Sequence, residues 1–275
     1  MNGETSVMKG IVFDLDDTIL RNDLSISDYT IQVFRMLSRS GFTMVAASGR
    51  AKLSMKRYVD QLSCLDAYIS CNGAEIWNAK DHSLIHQELF SASTAIEIAL
   101  FAEENDCYAQ VYEGDKFYFN RYGVYADRYA ASSSLKGVYV GPLSSYIHEP
   151  CNKILFFDEE EKINFLYHEA KNRFSGRASV TRSKPVYLEF NPVNATKGIA
   201  LTRLAPLLGL KAEDFIAFGD SLNDLSMLQA AGVAAMVSNG WKEIRPYCDI
   251  VCQSNEEDGP ARYLAEKYLA SEVKL

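Results

Sequence analysis

The sequence predicts an α/β fold in which a doubly wound parallel sheet forms the core and an α+β domain is inserted into it. Strand-like and helix-like patterns alternate in β-α-β-α-β order over residues 11–71, which favours parallel strands joined by right-handed crossovers. A short apolar run that ends in an acidic loop occurs twice, at residues 11–13 and 215–218. Between these runs the composition changes, since ten of the sixteen tyrosines lie between Tyr108 and Tyr187. The change indicates a second domain.

The elements of the predicted core follow from hydrophobic spacing and from capping residues. Ser27 is a suitable N-cap for the first helix, and Gly41 ends it. The inner faces of the first two helices are predicted to carry Ile31, Phe34 and Leu37, and Leu53, Tyr58 and Leu62. The further core elements are predicted as strands at 43–47, 67–71, 215–218, 233–237 and 250–251, and helices at 51–62, 197–209, 222–231 and 260–269.

The insertion is predicted to contain a mixed, partly antiparallel sheet covered by helices. A helix at 94–105, capped by Ser93, would turn Ile96, Leu100 and Phe101 inward. The other elements are a hairpin of 107–112 and 116–120 joined across 113–115, strands at 153–157, 178–181 and 186–190, and a helix at 160–174.

These patterns assign residues 1–76 and 189–275 to the core and residues 77–188 to the insertion. The aromatic side chains of the insertion are a candidate specificity element for a ligand. Packing on a sheet face is the simpler interpretation of its best-placed aromatic residues, which are Tyr108, Tyr112, Tyr118 and Phe119.

Composition excludes several classes of protein. The net charge of -8 and the pI of about 5.1 argue against a nucleic-acid or anionic-membrane partner, because such partners demand clustered Lys and Arg. The sequence contains no run of 18 apolar residues, so it predicts no membrane span. Residues 1–7 lack the features of a signal peptide. Six scattered cysteines suggest reduced thiols. We expect a cytoplasmic protein that is a monomer or small homo-oligomer and binds a small molecule.

The two acidic loops are the candidate functional site. Asp14 and Asp16 follow the first strand, and Asp220 and Asp224 follow the strand at 215–218. If these strands are neighbours, four acids converge in the crevice at their carboxyl ends, where ligands bind in open α/β sheets. Such acids repel each other and a substrate phosphate, and a hard cation such as Mg²⁺ would resolve both conflicts. Taken alone, Asp14 and Asp16 could instead belong to a polar turn. Asp220 and Asp224 alone could be acids that complement the dipole at a helix N-terminus.

Missing motifs narrow the chemistry further. The sequence has neither a Walker lysine loop nor a GxGxxG motif, and none of its cysteines has Arg six residues later. All four histidines fall between residues 77 and 188, so none is expected at the acidic loops. Chemistry at that place would therefore depend on carboxylates.

The acidic loops also resemble those of a known enzyme superfamily. The segments that carry the resemblance are residues 14–18 (DLDDT), 45–50 (VAASGR), 70–74 (SCNGA), 197–198 (KG) and 219–224 (GDSLND). In this order and spacing they are similar to the motifs of the haloacid dehalogenase (HAD) superfamily of phosphatases, and of its Cof-like subfamily in particular. The resemblance spans roughly residues 9–251. It implies a Rossmann-like core with an α/β cap domain inserted between the second and third motifs.

The resemblance makes Asp14 the candidate nucleophile, since an ionised carboxylate can attack phosphorus without an activating base. The product would be an aspartyl-phosphate. Asp16 is the candidate general acid, which protonates the leaving group and then activates water. That role needs a protonated Asp16 at the first step, and we expect crowding by the neighbouring carboxylates to favour it.

Metal and phosphate contacts are implied by the same resemblance. Mg²⁺ would be held by the Asp14 carboxylate, the Asp16 backbone carbonyl and Asp220, with Asp224 nearby or supporting them. The residues implied to contact the phosphate are Leu15, Ser48, Gly49, Lys197 and Asn223. Ser48 and Lys197 would contribute to catalysis by holding phosphate oxygens and neutralising their charge. Arg50 is interpreted as a structural or interface cation.

Two features depart from the family pattern. Asp17 stands where the Cof-like pattern usually has Gly, so the loop geometry or its contacts with the cap could differ. The run at 189–196 also differs from the usual approach to the lysine of the third motif. Within it, Glu189 is open to two interpretations, a residue that faces the substrate or a surface acid at the end of a strand.

The sequence therefore predicts a Mg²⁺-dependent phosphatase that hydrolyses a small phosphorylated metabolite, either a sugar phosphate or a phosphorylated cofactor, through an aspartyl-phosphate on Asp14. A sugar phosphomutase is one alternative, because the same intermediate could transfer its phosphoryl group to a sugar hydroxyl. The other is a non-catalytic metabolite-binding protein. The intact set of Asp14, Asp16, Lys197 and Asp220 argues against it.

Overall fold

A computed structural model describes residues 8–113 and 116–270. The strands are β1 Gly10–Phe13, β2 Thr43–Ala47, β3 Ala67–Ser70, β4 Glu75–Asn78, β5 Leu84–Gln87, β6 Tyr108–Glu113, β7 Lys116–Phe119, β8 Lys136–Tyr139, β9 Ile154–Phe157, β10 Ala178–Thr181, β11 Tyr187–Pro192, β12 Phe215–Gly219, β13 Val233–Val237 and β14 Ile250–Cys252. The α-helices are α1 Asp28–Arg39, α2 Lys52–Gln61, α3 Ala92–Glu104, α4 Val124–Ser133, α5 Leu143–Tyr146, α6 Glu160–Arg173, α7 Lys197–Leu204, α8 Leu225–Ala230 and α9 Gly259–Tyr268. Short 3₁₀ turns lie at Cys71–Gly73, Ala205–Leu208, Ala212–Asp214, Lys242–Tyr247 and Asn255–Glu257.

The larger sheet has eight strands in the order β14-β13-β12-β1-β2-β3-β4-β5. Its first six strands are parallel, and β4 and β5 extend it as antiparallel strands. From β1 the chain proceeds to β2 and β3 on one side and later to β12, β13 and β14 on the other. The order therefore reverses between β1 and β12, where ligands bind in such sheets. The predicted α/β fold with a parallel core sheet is confirmed.

Helices cover both faces of this sheet because the buried strands alternate their side chains between two apolar clusters. Ile11 and Phe13 of β1 pack with α1, α2 and α9, and Phe13 lies 4.8 Å from Phe34 between ring centroids. Val12, on the opposite face, packs with α7 and α8. Gly10 is required where β1 meets β12, since a Cβ there would lie 2.4 Å from the ring of Phe215. These contacts hold β1 and its acidic loop rigidly in the centre of the core.

The smaller sheet has six strands in the order β10-β11-β9-β6-β7-β8. All its pairs are antiparallel except β7 with β8, which confirms the predicted mixed sheet. One face packs on α3 and α6. The other carries Tyr108, Tyr112, Phe119 and Tyr187, which pack with α4 and touch Ala51 of the core. This aromatic face therefore lies on the side of the crevice.

Strand pairing departs from the sequence-based boundaries. β4 and β5 had no counterpart in the sequence prediction, and they place residues 75–87 in the larger sheet. Strand β11 continues to residue 192, and it pairs with β9 over residues 187–190 and with β10 over residues 189–192. We therefore propose that the insertion runs from about residue 88 to 192 rather than from 77 to 188.

Several local predictions are corrected by the structure. The cap of α3 is Ser91, which accepts a hydrogen bond of 3.2 Å from the N–H of Thr94, so this helix begins earlier than predicted. Leu53 and Leu100 are about 40% exposed and do not belong to the inner faces. The predicted helix at 222–231 is shorter because residues 221–224 form a loop. Ser27 caps α1 as predicted, with a bond of 2.9 Å from the N–H of Thr30.

The remaining sequence-based expectations concern thiols, membranes and masked positions. All six cysteines are free thiols. In residues 8–113 and 116–270, no helix is long and apolar enough to cross a membrane. Residues 1–7, which lack signal-peptide features in the sequence, lie outside the described residues. Positions 114–115 of the predicted hairpin turn also lie outside them.

Candidate active site

The carboxyl ends of β1 and β12 bring three acidic side chains together. The two strands are paired in register, and the N–H of Asp14 donates a hydrogen bond of 2.9 Å to the carbonyl of Phe218. Carboxylate oxygens of Asp14, Asp220 and Asp224 all lie within 4.8 Å of one another, and all three side chains are buried. Residues some 200 positions apart in sequence therefore form one acidic cluster, as their position after neighbouring strands suggested.

Lys197 supplies the opposite charge from the first turn of α7. Its ammonium group is fully buried, and it donates hydrogen bonds to Oδ1 of Asp14 and, at 2.6 Å, to Oδ1 of Asp224. Burial alone would lower the pKa of Lys197, but the charges of Asp14 and Asp224 outweigh it and raise the pKa above its ordinary value. The lysine therefore remains a cation beside the candidate nucleophile.

Asp224 fixes the loop that carries Asp220. Its Oδ2 accepts the backbone N–H groups of Asp220 at 2.9 Å and Ser221 at 3.1 Å, while its other oxygen accepts from Lys197. A Cβ on Gly219 would lie 2.6 Å from the Cβ of Asp224, so only glycine lets the loop turn this closely. Both oxygens of Asp224 are thus already engaged in holding other groups.

Burial and mutual repulsion make the ionised forms of Asp14 and Asp220 unfavourable. Burial raises the pKa of Asp14 well above its usual range, and Asp224 and Asp16 add to the shift although Lys197 opposes it. Burial and the charges of Asp224 and Asp14 likewise raise the pKa of Asp220. Oxygen donors that are buried, crowded and short of positive charge are the ligands a hard divalent cation prefers. The donor set therefore fits such an ion.

Asp16 is paired with Arg50, not left among like charges. The Nε and Nη2 of Arg50 each donate a hydrogen bond of 2.7 Å to a different oxygen of this carboxylate. Burial would raise the pKa of Asp16, but the charge and hydrogen bonds of Arg50 outweigh it and lower the pKa. The expectation that crowding protonates Asp16 is therefore wrong for this arrangement, because a bidentate guanidinium neutralises the carboxylate.

Arg50 also joins the core to the insertion. Besides Asp16, its Nη1 donates to the hydroxyl of Ser54 in α2 at 2.9 Å and to the carbonyl of Ser132 in α4 at 3.0 Å. The interpretation of Arg50 as an interface cation describes only part of this arrangement, since the same side chain reaches into the site. One guanidinium thus contacts the candidate general acid and the C-terminal end of a helix of the insertion.

The candidate phosphate-binding residues lie around the same crevice. The hydroxyl of Ser48 is buried and accepts the N–H of Arg50 at 3.1 Å. A Cβ on Gly49 would lie 2.8 Å from Oδ1 of Asn72, so this position is closed to any side chain. The side chain of Leu15 is buried in the apolar core, which leaves only its backbone to face a phosphate. Asn223 borders the crevice directly.

A buried polar network runs from the acidic loop to the strands of the insertion. Nδ2 of Asn223 donates to Oδ1 of Asn72 at 3.0 Å, and Nδ2 of Asn72 donates to Glu189 at 3.1 Å. Glu189 pairs with Lys153 at 2.5 Å, and Lys153 also donates to the carbonyl of Gly49 at 2.7 Å. Glu189 is only 2% exposed, so its interpretation as a surface acid is wrong. The network couples the crevice to β9 and β11.

The core and the insertion enclose a cavity of about 50 Å³ over the acidic loops. Its core side is formed by Asp14, Asp16, Gly49, Arg50, Asp220, Ser221 and Asn223. Its opposite side is formed by Tyr129, Ser132, Ser133, Lys153, Ser183, Lys184, Tyr187 and Glu189. The insertion therefore acts as a roof over the candidate site, and its residues bring hydroxyl, ammonium and carboxylate groups beside two tyrosine rings.

Asp17 adopts a left-handed backbone conformation with φ of 57°. Glycine reaches this region without cost, whereas Asp is among the side chains that tolerate it. The backbone carbonyl of Asp17 accepts a hydrogen bond of 2.8 Å from Asn239. Burial raises the pKa of its carboxyl. The turn therefore has the geometry that explains a glycine at this position in related loops, and Asp17 preserves it.

Several residues that line the cavity or support it were not predicted from the sequence. Lys153, Lys184, Tyr129 and Tyr187 line the cavity although none lies in a recognisable motif. Asn72 was noted only as part of the SCNGA segment. The Asn-Gly pair of Asn72 and Gly73 is the turn signal in the sequence that could have marked it, and Asn72 adopts a left-handed φ of 56°.

Comparison with known proteins identifies the class. Residues 11–264 match the family model of haloacid dehalogenase-like hydrolases, so the chain belongs to this family. A protein of Buchnera aphidicola subsp. Acyrthosiphon pisum is 30% identical over 96% of this chain and 98% of its own length. The 5-amino-6-(5-phospho-D-ribitylamino)uracil phosphatase YitU of Bacillus subtilis is 27% identical over 94% of this chain and 97% of its own.

A solved structure gives the same result. A haloacid dehalogenase-like hydrolase from B. subtilis matches with a TM-score of 0.85 at 27% identity, covering 94% of this chain and 100% of its own. The fold, the acidic loops and these relatives agree. The protein is a phosphatase of the HAD superfamily that acts on phosphorylated substrates, and the resemblance noted in the sequence is confirmed.

Proposed function

We propose that the protein hydrolyses the phosphate monoester of a small metabolite with the help of Mg²⁺, through an aspartyl-phosphate formed on Asp14. The observation that carries this proposal is the position of Asp14. It lies at the topological switch point, touches the ammonium group of Lys197 and shares a buried cluster with Asp220. A carboxylate so placed has a cation to bind the incoming phosphoryl group and an acidic neighbour to share a metal.

Asp14 and Asp220 are the side chains that we propose to hold the magnesium ion, together with the backbone carbonyl of Asp16. Asp224 is better suited to support them, because both of its oxygens already accept hydrogen bonds. When bound, the ion would screen the acids from one another and withdraw electron density from the phosphoryl group.

The reaction proceeds in two displacements at phosphorus. A carboxylate oxygen of Asp14 attacks, the bond from phosphorus to the leaving oxygen breaks, and Asp16 donates a proton to that oxygen. Asp16, now ionised, accepts a proton from the water that attacks the aspartyl-phosphate. Inorganic phosphate leaves and Asp14 is restored. Lys197 offsets the negative charge that builds up on the phosphoryl oxygens in both steps.

The pairing of Asp16 with Arg50 suits the second step better than the first. A carboxylate with a lowered pKa is ready to take a proton from water but has none to give. We propose that a bound substrate phosphate attracts the guanidinium away from Asp16, after which Asp16 can be protonated. The cavity of about 50 Å³ has room for only a few water molecules. We therefore propose that the insertion moves relative to the core when the substrate binds.

Sugar phosphates and phosphorylated cofactors are the proposed substrates. The hydroxyl and charged groups among the roof residues favour a leaving group that forms several hydrogen bonds. The name of the relative YitU describes a phosphorylated ribityl compound as its substrate, which is of the same chemical kind.

Release of inorganic phosphate from a panel of sugar phosphates and phosphorylated cofactors, with and without Mg²⁺, tests the proposal. We expect release that requires the metal and is abolished in Asp14→Asn. The matched control is Asp106→Asn, which changes an acid that is 93% exposed in the insertion. Equal release by wild type and Asp14→Asn would overturn the proposal, and recovery of an isomeric sugar phosphate would support the mutase alternative.

A further inference from the structure

A chain of hydrogen bonds crosses the aromatic face of the insertion and ends at the cavity. The hydroxyl of Tyr108 donates to Oε1 of Gln110 at 2.8 Å, and Nε2 of Gln110 donates to the hydroxyl of Tyr112 at 2.7 Å. The hydroxyl of Tyr112 then donates to the hydroxyl of Tyr129, again at 2.7 Å. All four side chains are at least nine-tenths buried. Buried polar groups persist when they are bonded, which the chain achieves for its first three members.

The direction of the chain leaves one proton unused. Tyr108 and Tyr112 each donate their only hydroxyl proton to the next member of the chain. Tyr129 accepts from Tyr112, and its own proton reaches no acceptor among the residues that the structure describes. Burial, the first of several causes, raises the pKa of Tyr129 well above its usual range, so the hydroxyl keeps this proton at neutral pH. Each donor polarises the next, which makes the terminal hydroxyl a stronger donor.

The ring of Tyr129 is held in place on several sides. It makes edge contacts with Phe117 at 5.1 Å and Tyr112 at 5.9 Å between centroids, and it lies 6.3 Å from Tyr187. The helix that carries it, α4, is fixed to the core at its last turn because Arg50 donates to the carbonyl of Ser132. The hydroxyl therefore cannot turn away without breaking this packing.

Tyr129 belongs to the roof of the cavity, opposite the acidic loops. On the core side, Asp14 and Lys197 occupy the place proposed for the phosphoryl group, so the roof faces the remainder of the substrate. We propose that Tyr129 is a specificity residue whose hydroxyl donates a hydrogen bond to an oxygen of the leaving group, and that this oxygen is a hydroxyl of a polyol chain. This inference rests on the proposed phosphatase function and deepens it.

A polyol is favoured by the side chains around Tyr129. Ser183 and Tyr187 line the same roof, as do Ser132 and Ser133, whose hydroxyls donate to the backbone carbonyl of Tyr129. The hydroxyls of Ser183 and Tyr187 can both donate and accept, and that of Ser132 can still accept, which matches the hydrogen-bonding pattern of a polyhydroxyl chain. An alkyl leaving group would leave the proton of Tyr129 without a partner in a buried site, which is unfavourable.

The test compares two substrates of equal chain length, ribitol 5-phosphate and n-pentyl phosphate, which differ in their hydroxyl groups. Wild type should prefer ribitol 5-phosphate in kcat/KM. In Tyr129→Phe this preference should fall about five- to tenfold, through a higher KM for ribitol 5-phosphate with kcat unchanged. Hydrolysis of n-pentyl phosphate by the same variant should be at least as efficient as in wild type, because the substitution removes the proton that an alkyl group leaves unpaired. This activity also shows that the variant is folded.

Two further variants keep the test decisive. Tyr139→Phe removes a hydroxyl from a cap tyrosine that is 45% exposed, and it should leave the preference unchanged. Tyr112→Phe, which removes the donor to Tyr129, should lower the preference less than Tyr129→Phe does.

The outcomes separate this inference from the function on which it rests. An active Tyr129→Phe with the wild-type preference would overturn the role of Tyr129 alone. An equal loss of kcat on both substrates would also overturn it, because the hydroxyl would then act on the phosphoryl group. Absence of phosphate release by wild type from every ester would contradict the proposed function and this inference together.

Discussion

Arg50 holds the carboxylate of Asp16 through two hydrogen bonds of 2.7 Å, one to each oxygen. The two residues lie 34 positions apart, in the loops after β1 and β2. Because the same guanidinium also contacts the carbonyl of Ser132 in the insertion, the state of the proposed general acid is linked to the position of the roof. Arg50 thus contributes both to the packing of the insertion over the site and to the ionisation state of Asp16.

Replacing Arg50 by Lys should test this link. The charge is retained, but the planar fork that holds both oxygens of Asp16 and also reaches Ser132 is lost. We expect kcat/KM for the best substrate to fall about ten- to hundredfold, because a lysine cannot hold two oxygens of a substrate phosphate as the guanidinium fork does. Arg57→Lys is the matched control, since Arg57 is an exposed residue of the same helix region that stacks on Tyr58. Steady-state kinetics that show similar losses in both variants would contradict a specific role of Arg50.

The buried pair of Lys153 and Glu189 should contribute strongly to the stability of the junction between the insertion and the core. Lys153→Met leaves the Glu189 carboxylate without its cation in a site only 2% exposed. The free energy of unfolding should fall by about 3–5 kcal/mol, measured by urea denaturation. Arg177→Met breaks the surface pair with Glu97 and should cost below about 1 kcal/mol. A similar loss of unfolding free energy in the two variants would show that the buried pair stabilises the protein no more than the surface pair does.

The left-handed conformation of Asp17 predicts a difference between two substitutions. Asp17→Gly and Asp17→Ala both remove the carboxylate, but only glycine accepts a φ of 57° without steric cost. The glycine variant should be more stable than the alanine variant by about 1 kcal/mol in urea denaturation. A more stable alanine variant would mean that the loss of chain entropy on folding outweighs the strain at this turn.

Asp158 should make stability depend on pH at the acidic end. Burial would raise the pKa of Asp158, but hydrogen bonds from Lys162 and from the N–H of Glu159 outweigh it and lower the pKa. A lowered folded-state pKa stabilises the protein above the unfolded value of about 3.9, and this contribution is lost as pH falls through the folded-state value. Asp158→Asn should therefore lose stability at pH 6 and show a shallower decline below about pH 4.

Urea denaturation at several pH values measures this effect. Glu149→Gln, which changes an exposed acid in the same domain, is the control and should follow the wild-type pH dependence. A wild-type pH dependence in Asp158→Asn would show that this carboxylate is not differently paired in the folded state.

Much of the fold and of the acidic cluster was predictable from local patterns. The apolar runs before Asp14 and Asp220 predicted two buried strands, and parallel strands place their following loops at one edge. The edge strand β5 was not predictable from alternation, since its residues Leu84 and Ile85 are both substantially exposed. The positions of β4 and β5 depend on the pairing of β4 with β3 and of β5 with β4, which are tertiary contacts.

The environment of each acid was not predictable in the same way. Asp16 sits among carboxylates in the sequence, and its partner is decided by the turn that directs Arg50 back across the crevice. Glu189 lies 36 residues from Lys153, and their contact exists only after strands of the insertion have paired. It lies 117 residues from Asn72, and that contact exists only after the insertion has packed on the core. Charge pairing over such separations depends on three-dimensional placement, which no local spacing encodes.

By itself the sequence determined the superfamily, the alternating core and the acids that form the cluster, because short-range hydrophobic periodicity and strand-end motifs encode them. Only the tertiary structure decided that Asp16 is paired, that Glu189 is buried, and that Tyr129 ends a directed chain of hydroxyl groups over the cavity. Ionisation and hydrogen-bond direction depend on burial and on neighbours far away in the chain, and these are fixed when the insertion closes over the core.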